Sequence, residues 1–95
     1  MKVFETQYLE LTGDNVFSEA NSIQMDQGKN LALLQARDGT AIRMASDPGR
    51  GRKGAYFTIK ANTAQLLSSF NFDGERVYLA GPSGTIVEYI IQEKP

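Results

Sequence analysis

Turn-forming residues cut this chain into apolar runs only a few residues long. Gly13-Asp14-Asn15, Asp26-Gln27-Gly28, Asp38-Gly39, Asp73-Gly74 and Gly81-Pro82-Ser83-Gly84 all supply positive φ angles or side chains that cap their own backbone. Between these clusters apolar and polar residues alternate imperfectly, the period of a strand with one face on a core. Strands are expected over residues 3–11, 31–37, 40–46, 55–60, 76–80 and 85–92, and residues 22–25 offer a further short one.

Pairing expectations follow from the turns. Asp38-Gly39 suits a type I′ turn, so residues 31–37 and 40–46 are expected to form a hairpin. Arg37 would then face Thr40, Gln35 would face Ile42 and Leu33 would face Met44. Ala32, Leu34 and Ala36 form the more apolar side of the first strand and should meet the core. A second hairpin is expected around Gly81-Pro82-Ser83-Gly84, with Tyr78 opposite Val87 and Leu79 opposite Ile86. Residues 55–60 would direct Phe57 and Ile59 into the core and Tyr56, Thr58 and Lys60 away from it. Met25 and Met44 read as core. One short helix is expected over residues 63–70, with Asn62 as its N-cap, Gln65 as capping-box partner and Leu66, Leu67 and Phe70 as its apolar stripe. The expected fold class is α+β: a predominantly antiparallel β-sheet of about six strands with one short helix, in a single small domain over residues 1–95.

Composition removes several chemistries. The chain has 95 residues, enough for one modest core, and neither cysteine nor histidine. Disulfides, thiol catalysis, Ser-His nucleophiles and metal sites built on those two residues are excluded. The carboxylates mostly fall in turns, so no metal, cofactor or enzymatic activity is expected. No apolar run approaches a membrane span, and Met1-Lys2-Val3-Phe4 followed by Glu5 does not read as a signal peptide. With no cysteine, a cytoplasmic location is expected, with no membrane partner.

Net charge is −1, but it is unevenly spread. Residues 37–60 carry Arg37, Arg43, Arg50, Arg52, Lys53 and Lys60 against only Asp38 and Asp47, while both flanking segments are net acidic. The centre of this basic segment is Asp47-Pro48-Gly49-Arg50-Gly51-Arg52-Lys53-Gly54, followed by Tyr56-Phe57. Glycines interleaved with cations suit a flexible loop whose backbone N–H groups and side chains grip phosphates, with an aromatic nearby to stack on a base. Arg50, Arg52 and Lys53 are the expected phosphate contacts, Arg43 and Lys60 extend the track, and Tyr56 is the expected stacking residue. A partial Arg-Gly-Arg match to an AT-hook, a nucleotide-phosphate loop and a solvated loop that only keeps the chain soluble are competing readings. So is a protein-interaction or inhibitory module that docks the loop on an acidic partner.

The order of elements also resembles the positive-coactivator-four family of small single-stranded-DNA-binding transcription cofactors. The likeness rests on Thr40-Ala41-Ile42-Arg43-Met44, a basic loop ending Gly51-Arg52-Lys53-Gly54, a strand, and a helix starting near Asn62. The stretch over residues 57–72, with its Leu66-Leu67-Ser68-Ser69-Phe70-Asn71-Phe72, is similar to the helix entry of the related Whirly fold. The resemblance covers about residues 31–72. It implies single-stranded DNA as partner, a homodimer packed through the helix, and Arg43, Arg52 and Lys53 on the binding face. The chain departs from the family in continuing past the helix with residues 76–92.

Overall fold

The computed structural model describes residues 6–25, 31–67 and 74–92. The expected strand start at residues 3–5, the turn at 26–30, the helix end and stop at 68–73 and the polar tail at 93–95 lie outside the described residues. Eight strands are formed: β1 (Thr6–Glu10), β2 (Ser22–Gln24), β3 (Leu31–Ala36), β4 (Ile42–Ala45), β5 (Phe57–Ile59), β6 (Ala64–Leu67), β7 (Arg76–Ala80) and β8 (Ile86–Gln92). They make two four-stranded sheets, ordered β1-β8-β3-β6 and β2-β7-β4-β5, and every pairing is antiparallel. One helix, α1 (Pro48–Arg52), and one 3-10 turn (Glu19–Asn21) complete the described elements.

The core lies between the two sheets. Ala32, Leu34, Ala36, Leu67 and Val87 enter it from the first sheet, and Ile23, Ile42, Ile59, Val77 and Leu79 from the second. Burying a side chain such as Leu34 or Leu79 stabilises by about 1.5–3 kcal/mol. The expected core face of β3 is therefore observed.

The two expected hairpins are not. β3 pairs with β8 and β6, while β4 pairs with β7 and β5. Gln35 lies opposite Glu88 and Ala64, and Ile42 lies opposite Ile59. β7 and β8 likewise belong to different sheets, so Leu79 faces Met44 and Ile86 faces Glu10. Face matching explains both. A hairpin pairing Gln35 with Ile42 would put a polar residue and a core residue on the same side. Its counterpart would align Tyr78, which is half-buried on the outer side, with Val87, which is wholly buried. Turning each connection into a corner lets Ala36 and Ile42, and likewise Leu79 and Val87, enter the core from opposing sheets. Gly39, at φ +82, makes the first corner and Gly84, at φ +89, the second.

The helix expected over residues 63–70 is replaced, as far as the described residues reach, by β6. Asn62 does not cap a helix. It adopts φ +62 and donates its N–H to the Gly39 carbonyl at 2.9 Å, which ties two corners together. β6 pairs with β3, so Leu66 points outward and Leu67 points into the core. Side-chain alternation along an edge strand, rather than a helical stripe, accounts for Leu66-Leu67.

Candidate nucleic-acid interface

The segment expected to be a flexible basic loop contains α1. Asp47 has extended backbone angles (φ −142, ψ 123), and its carboxylate accepts from the N–H groups of Gly49 at 2.8 Å and Arg50 at 3.4 Å. Pro48 follows at the first helical position, where its fixed φ suits the helix and its missing N–H is not needed. At the other end the Lys53 N–H donates to Arg50 and Gly51 carbonyls, and Gly54 reverses the chain at φ +102.

This changes what the glycines do. The N–H groups of Gly49, Arg50, Gly51, Lys53, Gly54, Ala55 and Tyr56 all donate within the segment itself. They form no outward-pointing cradle for a phosphate, contrary to the expectation from the sequence. Gly51 is buried because α1 packs against the outer face of the β2-β7-β4-β5 sheet. A Cβ on Gly51 would lie 3.0 Å from Ala45 Cβ and 3.0 Å from Phe17 Cδ2. Phe17, Ala45 and Ala80 form a small second core beneath the helix, flanked by Tyr78.

Phe17 is held in turn by Asn21, which is wholly buried. The Asn21 side chain accepts from the Thr12 N–H at 2.9 Å and donates to the carbonyls of Thr12 at 2.8 Å and Val16 at 2.9 Å. In a loop with no regular hydrogen-bond ladder, one buried amide thereby satisfies three backbone groups.

The expected site residues divide around this second core. Arg52 donates from Nη2 to the Phe17 carbonyl at 2.9 Å, so it clamps α1 to the loop as well as carrying charge. Arg50 and Lys53 are exposed. Arg43, on β4, places its guanidinium carbon 4.7 Å from the centre of the Tyr56 ring. Tyr56 also packs on Phe17, with ring centres 6.0 Å apart and planes tilted by 35°. Lys60 is exposed just beyond the far end of β5, roughly 13 Å along the strand from Tyr56. The structure therefore brings Arg43, Arg50, Arg52, Lys53 and Tyr56 together at one end of this sheet, with Lys60 at the margin. Among the described residues, none of these cations forms an ion pair. Asp47, the acid nearest in sequence, has its carboxylate committed to capping.

Two further observations were not expected. Arg37, though part of the basic segment, belongs to the opposite sheet. It pairs with Glu88 at 2.9 Å and lies 5.7 Å from the Tyr8 ring centre. The hydrogen bond from Arg37, helped by one from Gln35, holds the Glu88 carboxyl below its ordinary value.

The second is Phe57, expected in the core. It shares a face with Ile59 through pairing with Met44 and Ile42, yet it is 55 % exposed where Ile59 is 2 %. The core ends between them, because β5 is a short edge strand at an open end of the sandwich. A groove of about 580 Å³ opens there, walled chiefly by Met44, Tyr56, Phe57, Leu67 and Val77. Ser46, Glu75 and Arg76 add polar atoms to its lining.

Arg76 is committed to Ser22 Oγ at 2.9 Å and to Glu19 at 3.6 Å. Among the described residues, no acidic groups cluster in a way that could hold a metal ion, and no helix is long and apolar enough to cross a membrane. No protein-family model matches this chain, and no curated protein or solved structure is significantly similar to it.

Proposed function

We propose that this domain binds nucleic acid, preferring single strands and reading little sequence. The observation that carries the proposal is the grouping of Arg43, Arg50 and Lys53, none in an ion pair with a described residue, beside the aromatic pair Tyr56-Phe57. Lys60 continues the track along β5. Cations of this kind contact phosphates, and exposed rings stack on bases of any identity. The preference for single strands agrees with the resemblance to the positive-coactivator-four and Whirly domains. It does not need the helix or the flexible loop on which that resemblance partly rested. We assign the domain no catalytic role, and a cysteine-free chain fits a cytoplasmic setting.

Fluorescence anisotropy of a labelled single-stranded oligonucleotide across a salt series tests the reading. Four phosphate contacts predict a log–log salt slope of roughly −3, at about 0.7 for each contact on a single strand. Arg50→Gln/Lys53→Gln/Lys60→Gln should shrink that slope by about 2 units. Absence of binding at low salt removes the proposal.

A second reading is a protein-interaction or inhibitory module, which one observation favours. On the outer face of the β1-β8-β3-β6 sheet, Tyr8, Leu33 and Leu66 are 66, 38 and 51 % exposed, and Leu33 lies directly between Leu66 and Ile90. Such a row suits a partner protein or a second copy of the chain. Leu33→Asp/Leu66→Asp would abolish association on this face and leave oligonucleotide binding intact, which sedimentation and anisotropy would distinguish.

A further inference from the structure

We propose that the groove at the open end of the sandwich seats an unpaired base of the bound strand, stacked on Phe57. The inference deepens the nucleic-acid reading and depends on it. It starts from the pleat of β5. Phe57 and Ile59 point to the same side, toward Met44 and Ile42 of β4, yet only Ile59 is covered. An aromatic ring facing the interior side of a sheet and left uncovered is an apolar surface ready for a flat ligand. Around it are Met44, Leu67 and Val77, and the groove, at about 580 Å³, falls in the size range of sites for small organic groups.

Charge selects the occupant. Gly54 and Tyr56 line the groove, and the chain just before them carries Arg50 and Lys53, neither in an ion pair with a described residue. Arg43 stands over Tyr56 on the adjoining strand. The Gly54–Tyr56 side of the groove therefore adjoins cations, although Glu75 also belongs to the lining, and a polyanion carrying apolar planes could set its phosphates toward α1 and one plane on Phe57. Single-stranded nucleic acid has that composition. A duplex does not present it, because its bases are stacked and paired, and one would have to be flipped out to reach Phe57. Besides the Tyr56 hydroxyl, the polar side chains of the lining are Ser46, Glu75 and Arg76, and Arg76 is already bonded to Ser22 and Glu19. Stacking on Phe57 would hold any base, because every base has a π-face.

The test compares three labelled probes of equal length at fixed low salt: a thymine oligonucleotide, the same backbone with abasic sites, and a duplex. Each is titrated with the native chain, with Phe57→Ala and with Arg50→Gln/Lys53→Gln/Lys60→Gln. The native chain should bind the thymine strand roughly ten- to a hundredfold more tightly than the abasic one. Phe57→Ala should erase that difference while leaving abasic binding and the salt slope unchanged. If Phe57→Ala does not fold, as judged by circular dichroism, the native comparison of thymine and abasic strands decides alone. Equal binding of the two strands, with loss in the charge variant, overturns the base site and leaves the phosphate reading standing. No binding of any probe overturns both.

Discussion

Three glycines in one short segment should respond to alanine in three different ways. Gly49 and Gly51 both lie in α1, where replacing glycine by alanine ordinarily gains up to about 1 kcal/mol. At Gly49 the new Cβ would meet only Asp47 Oδ1, at an ordinary 3.4 Å, so the helical gain should survive. Gly49→Ala should stabilise by about 0.5 kcal/mol. At Gly51 the Cβ would lie 3.0 Å from Ala45 Cβ and 3.0 and 3.1 Å from two carbons of the Phe17 ring. Ala45 has no rotamer to change and its Cβ is fixed by β4. Phe17 is buried in the loop that Asn21 holds. Overpacking of this kind costs about 1–3 kcal/mol, which exceeds the helical gain. Gly51→Ala should therefore destabilise by about 1–2 kcal/mol net, a melting-point fall of roughly 5–10 °C for a domain of this size. Gly54 separates backbone from packing, because nothing lies within 4 Å of its Cβ position but its φ is +102. Gly54→Ala should cost about 1–2 kcal/mol through strain alone. Urea and thermal unfolding followed by circular dichroism would rank the four proteins. Gly51→Ala at native stability or above would refute the packing of α1 on Phe17, and with it the account of how the cations are held.

Asn21→Ala should be the most damaging single change outside the main core, costing about 3 kcal/mol, because it orphans the Thr12 N–H and the Thr12 and Val16 carbonyls. A urea midpoint close to native would contradict that role. Arg52→Gln should cost about 1 kcal/mol by releasing the Phe17 carbonyl, whereas Arg50→Gln should stay within about 0.5 kcal/mol of native. Equal stabilities for the pair would mean that Arg52 clamps nothing. The ion pair on the opposite sheet predicts a pH effect. Folding holds the Glu88 carboxyl below its ordinary value of 4.5, chiefly through the hydrogen bond from Arg37. Its stabilisation is thus complete above 4.5 and lost as pH falls through the lower folded value. Glu88→Gln should unfold with a shallower acid dependence in that window, and an unchanged dependence would discount the pair.

Strand positions were legible in the sequence because they depend on local alternation and on turn residues. Every expected strand is present over at least part of its range, and Ala32, Leu34 and Ala36 do face the core. Partners were not legible from turns alone. Asp38-Gly39 and Gly81-Pro82-Ser83-Gly84 favour chain reversal, and a corner between two sheets reverses the chain as well as a hairpin does. The discriminating signal was nevertheless in the sequence. The expected first hairpin placed Gln35, on the polar side of its strand, beside the apolar Ile42, whereas the mismatch of Tyr78 with Val87 shows only in the structure. The first conflict alone was a sequence-level argument for two layers. Leu66-Leu67 misled for a related reason, since two adjacent apolar residues fit both a helix stripe and an edge strand with one side exposed.

The grouping of the proposed site's residues was half legible, and the missing half is long-range. Arg43, Arg50, Arg52, Lys53 and Tyr56 were recognisable from charge and residue type, and the fold does gather them. What the sequence hid was the manner of their presentation. Asp47-Pro48-Gly49 reads as a turn, but Asp-Pro is also an N-cap followed by a first helical residue, and five residues are too few to hold a helix in isolation. α1 persists because Gly51 lets it press on Phe17, which precedes Arg52 by 35 residues and lies in a stretch without periodicity. Phe17 in turn depends on Asn21. Arg50 and Arg52 are therefore carried by a packed element rather than by a loose loop, and if the proposed function holds, little ordering entropy should oppose their engagement with a phosphate chain. On the proposed nucleic-acid reading, binding and stability would be linked through residues that touch no ligand. Asn21→Ala or Gly51→Ala should weaken oligonucleotide binding by displacing α1, although neither residue carries a charge or faces the groove.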